Sequence, residues 1–119
     1  MAVSSSVTLT GSFTGLAAGS RSINAGSMTN SAGPAQVTQL TLASGDNTIT
    51  IPSGVIGAII VFDPTSTTVK KLKGAAGDTG INIKATGWNV VSFPASSPGP
   101  LIINSDAADT SKRTEITFF

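Results

Sequence analysis

The chain has 119 residues, the length of one ordinary domain and too few for two independent cores. At 39% hydrophobic and 11% charged residues, with a formal net charge of +1, it lies far from the polar, highly charged composition that keeps chains disordered. It has no Cys and no His, which excludes disulfides, thiolate metal sites, thiol nucleophiles and every imidazole-based catalytic arrangement.

In chain order, the first signal is alternation. From residue 3 to 13 the apolar Val3, Val7, Leu9 and Phe13 alternate with the hydroxylated Ser4, Ser6, Thr8, Thr10 and Ser12, the period of two that a half-buried strand needs. Residues 15–35 are rich in Gly, Ala, Ser and Asn, with Leu16, Ile23 and Met28 as the sizeable anchors. They read as a long, arm-like loop with a weak strand around residues 21–28, ordering on assembly. The start Met1-Ala2-Val3-Ser4 has no basic region followed by an apolar block, which predicts a chain made in the cytosol without a secretory signal.

A strand follows over residues 37–42. Ser44-Gly45-Asp46-Asn47 supplies turn chemistry, and residues 48–51 resume with Ile49 and Ile51 on one side, so the pair reads as a hairpin. Pro52-Ser53-Gly54 breaks the chain, residues 57–62 form a buried strand, and Asp63-Pro64-Thr65-Ser66 turns it before a strand at 68–73. After the glycine-rich stretch 74–80, strands are expected at 81–84, 88–93, 101–103 and 113–119. Helix formers nowhere recur at three-to-four-residue spacing, and Gly or Pro interrupts every long window. These elements predict an all-β class: one domain over 1–119, a single β-sandwich of jelly-roll-like or Greek-key type, with about eight to ten short strands.

Thr114, Ile116 and Phe118 alternate with Glu115, Thr117 and Phe119, so the last strand carries apolar groups on both faces at its end. Either one Phe packs in the core and the other on a loop, or one of them meets a neighbouring subunit. Trp88, the only indole, follows Gly87 at a strand start. Such a residue more often fills a core or an interface than stacks on a sugar. Trp88, Phe118 and Phe119 are therefore the candidate interface residues.

No catalytic, cofactor-binding or metal-ligating residue is predicted. The carboxylates sit singly, except Asp106 and Asp109 beside Asn104 and Ser105. That pair could form a calcium loop, but it lacks EF-hand spacing, and a turn whose Asp side chains bind local backbone is the plainer reading. The run Gly74-Ala75-Ala76-Gly77-Asp78-Thr79-Gly80 follows Lys70, Lys71 and Lys73, whereas a phosphate loop has its Lys after the glycines, opening a helix. Lys70, Lys71, Lys73 and Lys84 could form a basic patch, yet single-strand binders interleave stacking rings with such residues. Solvated lysines that discourage edge pairing account for them better, so no nucleic-acid partner is expected. The longest apolar run, residues 58–62, is strand-length, so no membrane span is expected either.

Three segments carry a family likeness: residues 44–52 (SGDNTITIP), residues 72–81 (LKGAAGDTGI) and the ending Glu115-Ile116-Thr117-Phe118-Phe119. Over residues 36–119 the chain resembles small virion proteins of tailed bacteriophages, of the head-decorating or tail-associated β-sandwich kind. That resemblance implies a non-enzymatic virion structural protein, working through self-association and contacts with other virion proteins. The alternative is a receptor- or carbohydrate-binding module that presents Trp88 and nearby Asn residues to a cell-surface glycan.

Overall fold

The structure is a computed structural model that describes residues 5–8, 11–13, 21–23, 27–30, 36–94 and 98–119. Every regular element among them is a strand, and none is a helix. In chain order these are β1 (Ser5–Thr8), β2 (Gly11–Phe13), β3 (Arg21–Ile23), β4 (Ser27–Asn30), β5 (Gln36–Leu42) and β6 (Gly45–Ile49). They continue with β7 (Gly57–Phe62), β8 (Lys70–Lys73), β9 (Ile81–Ile83), β10 (Trp88–Ser92), β11 (Leu101–Ser105) and β12 (Asp109–Phe118).

The eight strands from β5 onward form two antiparallel four-stranded sheets, ordered β10-β7-β12-β5 and β6-β11-β8-β9. Their inward positions follow the period of two. Ala58, Ile60 and Phe62 of β7, Ile116 and Phe118 of β12, Leu101 and Ile103 of β11, Ile49 of β6 and Leu42 of β5 form one buried cluster with Val55. Burying an Ile, Leu or Phe side chain is worth about 1.5–3 kcal/mol, so this shared cluster is the main force holding the two sheets together.

The expected hairpin over residues 37–51 is not formed. β5 pairs with β12 and β6 pairs with β11, so the two strands lie in different sheets. The turn chemistry is nevertheless in use: the Ala43 N–H donates to Asn47 Oδ1 at 2.9 Å, the Asn47 amide donates to the Ala43 carbonyl at 2.9 Å, and Gly45 takes a positive φ of 89°. A turn motif reports that the chain reverses, and here the reversal carries it from one sheet to the other. Leu42 and Ile49 then enter the core from opposite sides.

The N-terminal region differs from expectation in a second way. The strand expected over residues 3–13 comes as β1 and β2, with Val3, Ser4, Leu9 and Thr10 outside the described residues. The loop expected over 15–35 contains β3 and β4. β1 pairs antiparallel with β4, Val7 opposite Met28, and β2 with β3, Phe13 opposite Arg21. The two core sheets hold eight strands, within the expected eight to ten, and β1–β4 bring the described strands to twelve. A Ser/Gly-rich composition lowers strand propensity but does not forbid pairing where a partner strand is close in sequence.

The C-terminus is clamped into the first sheet. The Phe119 carbonyl accepts from Ile56 N–H at 2.7 Å and Gly57 N–H at 3.2 Å, and Phe119 N–H donates to the Gly57 carbonyl at 3.1 Å. A side chain at Gly57 would collide with the Phe119 ring and come within 2.9 Å of the Val91 carbonyl oxygen. The missing Cβ of Gly57 is the seat on which Phe119 rests. Phe118 lies in the core and Phe119 is 2% exposed.

Candidate functional site

The register of the first sheet determines what its outward face carries. With Ala58, Ile60 and Phe62 turned inward, Ile59 and Val61 of β7 point out. Cross-strand partners then line up in two rows: Val37–Thr117–Ile59–Val90 and Gln39–Glu115–Val61–Trp88. Five of these eight positions are apolar. Trp88 is 73% exposed, Val37 58% and Val90 45%, and Ile59 and Val61 are half-buried between them. The charged groups of the face are mutually offset, since Gln39 donates to Glu115 at 3.1 Å and accepts from Arg113 at 3.1 Å. A contiguous apolar patch on a sheet face is the mark of a surface that meets another surface.

The outward face of the second sheet is built differently. Its rows are Asp46–Asn104–Lys71–Asn82 and Thr48–Ile102–Lys73. Lys73 Nζ reaches both oxygens of Asp46 at 2.9 and 3.0 Å, and the Asn104 amide donates to Asp46 Oδ1 at 2.6 Å. The hydrogen bonds from Lys73 and Asn104 hold the Asp46 carboxyl below the usual carboxylate range, as the Thr65 hydroxyl and N–H do for Asp63 in the turn after β7. Lys73 also donates to the Ala76 carbonyl at 3.0 Å, which fastens the glycine-rich loop to this face. The loop therefore closes on protein groups.

Between the sheets lies a charged pair. Lys70, expected among solvated edge lysines, is fully buried, and its strand β8 is interior, flanked by β11 and β9. Alternation sends Lys71 and Lys73 outward and leaves Lys70 facing in. Its ammonium meets Asp109 Oδ2 at 3.0 Å, Ser66 Oγ at 2.9 Å, the Thr68 hydroxyl and the Thr68 carbonyl, and sits 5.5 Å from the Phe62 ring centre. Ser66 donates to Asp109 Oδ2 at 2.5 Å. Burial pushes the Asp109 carboxyl up, but the hydrogen bonds from Ser66 and Lys70, the Lys70 charge and Thr68 outweigh it and hold the group below its ordinary value. Ser66 and Lys70 are a hydroxyl and an amine within hydrogen-bond distance, both buried, with the Ser66 hydroxyl donating to Asp109.

Asp106 and Asp109 do not converge. Asp106 Oδ1 accepts from Val69 N–H at 2.8 Å, a long-range backbone contact in place of the local one expected, while Asp109 turns into the core. Among the described residues no group of three or more acidic side chains is placed to hold a metal. Of the three candidate interface residues, Phe118 and Phe119 are buried within the chain, and Trp88 alone presents its ring to solvent. Val37, Ile59, Val61 and Val90 were not singled out from sequence. The signal lay in β7, apolar at both parities, which reads equally as a strand covered on two sides; only the register showed which side stays open.

Compared with protein-family models, curated proteins and solved structures, the chain matches none.

Proposed function

We propose that this chain is a non-enzymatic structural building block that associates with further copies of itself, folded as a jelly-roll β-sandwich and placed in the virion of a tailed bacteriophage. The strand order supports the jelly roll. The pairings β5·β12, β6·β11, β7·β10 and β8·β9 are nested, as in one long antiparallel ribbon folded over on itself, and apart from β8 and β9 successive strands alternate between sheets. Jelly rolls serve in viral capsids and in lectins, an analogy of fold and not of site. The sequence likeness to head-decorating and tail-associated proteins favours the virion.

The observation that carries the reading is the open apolar face holding Trp88, Val90 and Val37. A net charge of +1 opposes association little. Light scattering on the full chain is expected to show an oligomer that Val90→Lys dissociates; a monomer at every concentration refutes self-association. Purified particles are expected to contain the chain at a fixed copy number, and its absence from them refutes the virion placement.

The exposure of Trp88 also supports a second reading, a glycan-stacking platform. Against it, the neighbouring Asn89 amide already donates to the Lys84 carbonyl at 3.0 Å and the Ile60 carbonyl at 3.4 Å, leaving a sugar the bare ring. Glycan binding abolished by Trp88→Ala with the oligomer intact would favour this alternative.

A further inference from the structure

We infer that the chain associates through the free edge of β10, which pairs antiparallel with β10 of a second copy about a two-fold axis at Val90 and joins the two open faces into one. This rests on the self-association reading and specifies the surface that meets its twin.

The first support is where the backbone groups of β10 point. Phe93 N–H donates to the Ile56 carbonyl at 2.9 Å, one step beyond the ladder in which Val91 faces Ala58 and Asn89 faces Ile60. From the other side, Gly57 directs its N–H and carbonyl to Phe119, which turns the odd positions of β7 toward β12 and leaves Ala58 and Ile60 to β10. Bonding direction alternates along an antiparallel strand, so Asn89, Val91 and Phe93 bond toward β7. The N–H and C=O groups of Trp88, Val90 and Ser92 then point away from it, to a side where no strand lies among the described residues. Alternation also sets these three side chains on the open face, with Trp88 73% and Val90 45% exposed.

The four sheet edges are not alike. A row of free backbone groups is a template for pairing with another chain, and brevity, charge or a bulge blunts it. β9 has three residues, β6 carries Asp46, and β5 breaks register with β12 between Leu42 and Leu40. β10 keeps unbroken register with β7 over its five residues and carries no charge.

The occupant is a second copy because this edge fits itself. With Val90 on the axis, Trp88 stands opposite the second copy's Ser92, Asn89 opposite its Val91 and Phe93 opposite its Gly87, so each ring meets a small residue. Trp88 also lies diagonal to the second copy's Val90, within reach of an indole. Every free N–H and C=O of Trp88, Val90 and Ser92 finds a partner in this register. An axis at Asn89 instead sets Ser92 against Thr86, outside the strand, and an axis at Val91 sets Trp88 against Pro94, which has no N–H.

The row Val37–Thr117–Ile59–Val90 then continues through the axis in reverse order, which fixes distances. The chain has no cysteine, so a spin label on an introduced thiol reports one position. Strands lie about 4.8 Å apart, so double electron–electron resonance on the full chain is expected to give about 34 Å between Val37→Cys labels and about 24 Å between Thr117→Cys labels. Gln39→Cys and Glu115→Cys, both at exposed positions, repeat the comparison in the next row should Thr117→Cys fold poorly, with Gln39 again the farther apart. Labels at Val37 as close as those at Thr117, or closer, would place β5 or stacked faces at the join and overturn the inference while leaving self-association standing. No dipolar coupling at either position, with the chain monomeric by light scattering, would overturn both.

Discussion

The two sheets share one core and present opposite outsides. Seen from outside, β6-β11-β8-β9 is closed chemistry: Asp46 is matched by Lys73 and Asn104, and Ile102, the apolar member of its rows, is buried. β10-β7-β12-β5 is open: Trp88, Val90 and Val37 stand exposed around Ile59 and Val61. An outside whose polar groups satisfy one another gains little by leaving water, and one that displays indole and branched aliphatic carbon gains about 25 cal/mol for each Å² it covers. The difference teaches that a weakly charged protein can saturate the outside of one sheet with polar pairs while gathering exposed apolar side chains on the outside of the other.

The largest expected effect tests the common interior on which both outsides depend. Lys70 belongs to the closed sheet and Asp109 to the open one, so their pair ties the two together within the core. Asp109→Ala strands a buried ammonium and is expected to cost about 3–5 kcal/mol in urea unfolding, while Lys70→Met with Asp109→Leu recovers most of that loss. The same pair sets an acid limit. Asp109 has a folded pKa below its unfolded value, so the unfolded chain binds the proton first and stability falls as pH drops below about 4. Urea midpoints measured between pH 6 and pH 2 should show that fall, with a smaller one in the Met/Leu variant.

A step down, Gly57→Ala forces the Phe119 ring off its seat at the end of the open sheet and is expected to destabilise by about 1–3 kcal/mol. Calorimetry on the full chain measures it, with no comparable loss at the exposed, unobstructed Gly77. Smaller still in stability, Val90→Lys leaves the monomer's melting temperature within a few degrees yet weakens association at least about tenfold by light scattering. If Val90→Lys changes nothing while Lys73→Ala dissociates the oligomer, the contrast between the outsides is reversed. Lys73→Ala should be the smallest change of all, leaving oligomer and melting temperature essentially as they were.

Much of the fold was legible because strand formation announces itself locally. β7, β10 and β12 were readable from alternation and bounding turns, and β12 only starts earlier, at Asp109, through an irregular register before Thr114. The hairpin expected at Asn47 was not readable, because a turn signal carries no information about the partner strand. Of the face, only Trp88 was visible, as an isolated indole; the other apolar members come from β5, β7 and β10, as far along the chain as Val37.

By itself, then, the sequence determined an all-β chain without thiol or imidazole chemistry, punctuated where Gly, Pro, Asp and Asn demand turns, since these are properties of a residue and its near neighbours. Tertiary structure alone decided which strands pair, that Lys70 enters the core while Lys71 and Lys73 stay outside, that Gly57 seats Phe119, and that one sheet is left open to its surroundings. Those outcomes depend on contacts between residues far apart in the chain, where one step of register exchanges the inside of a strand for its outside.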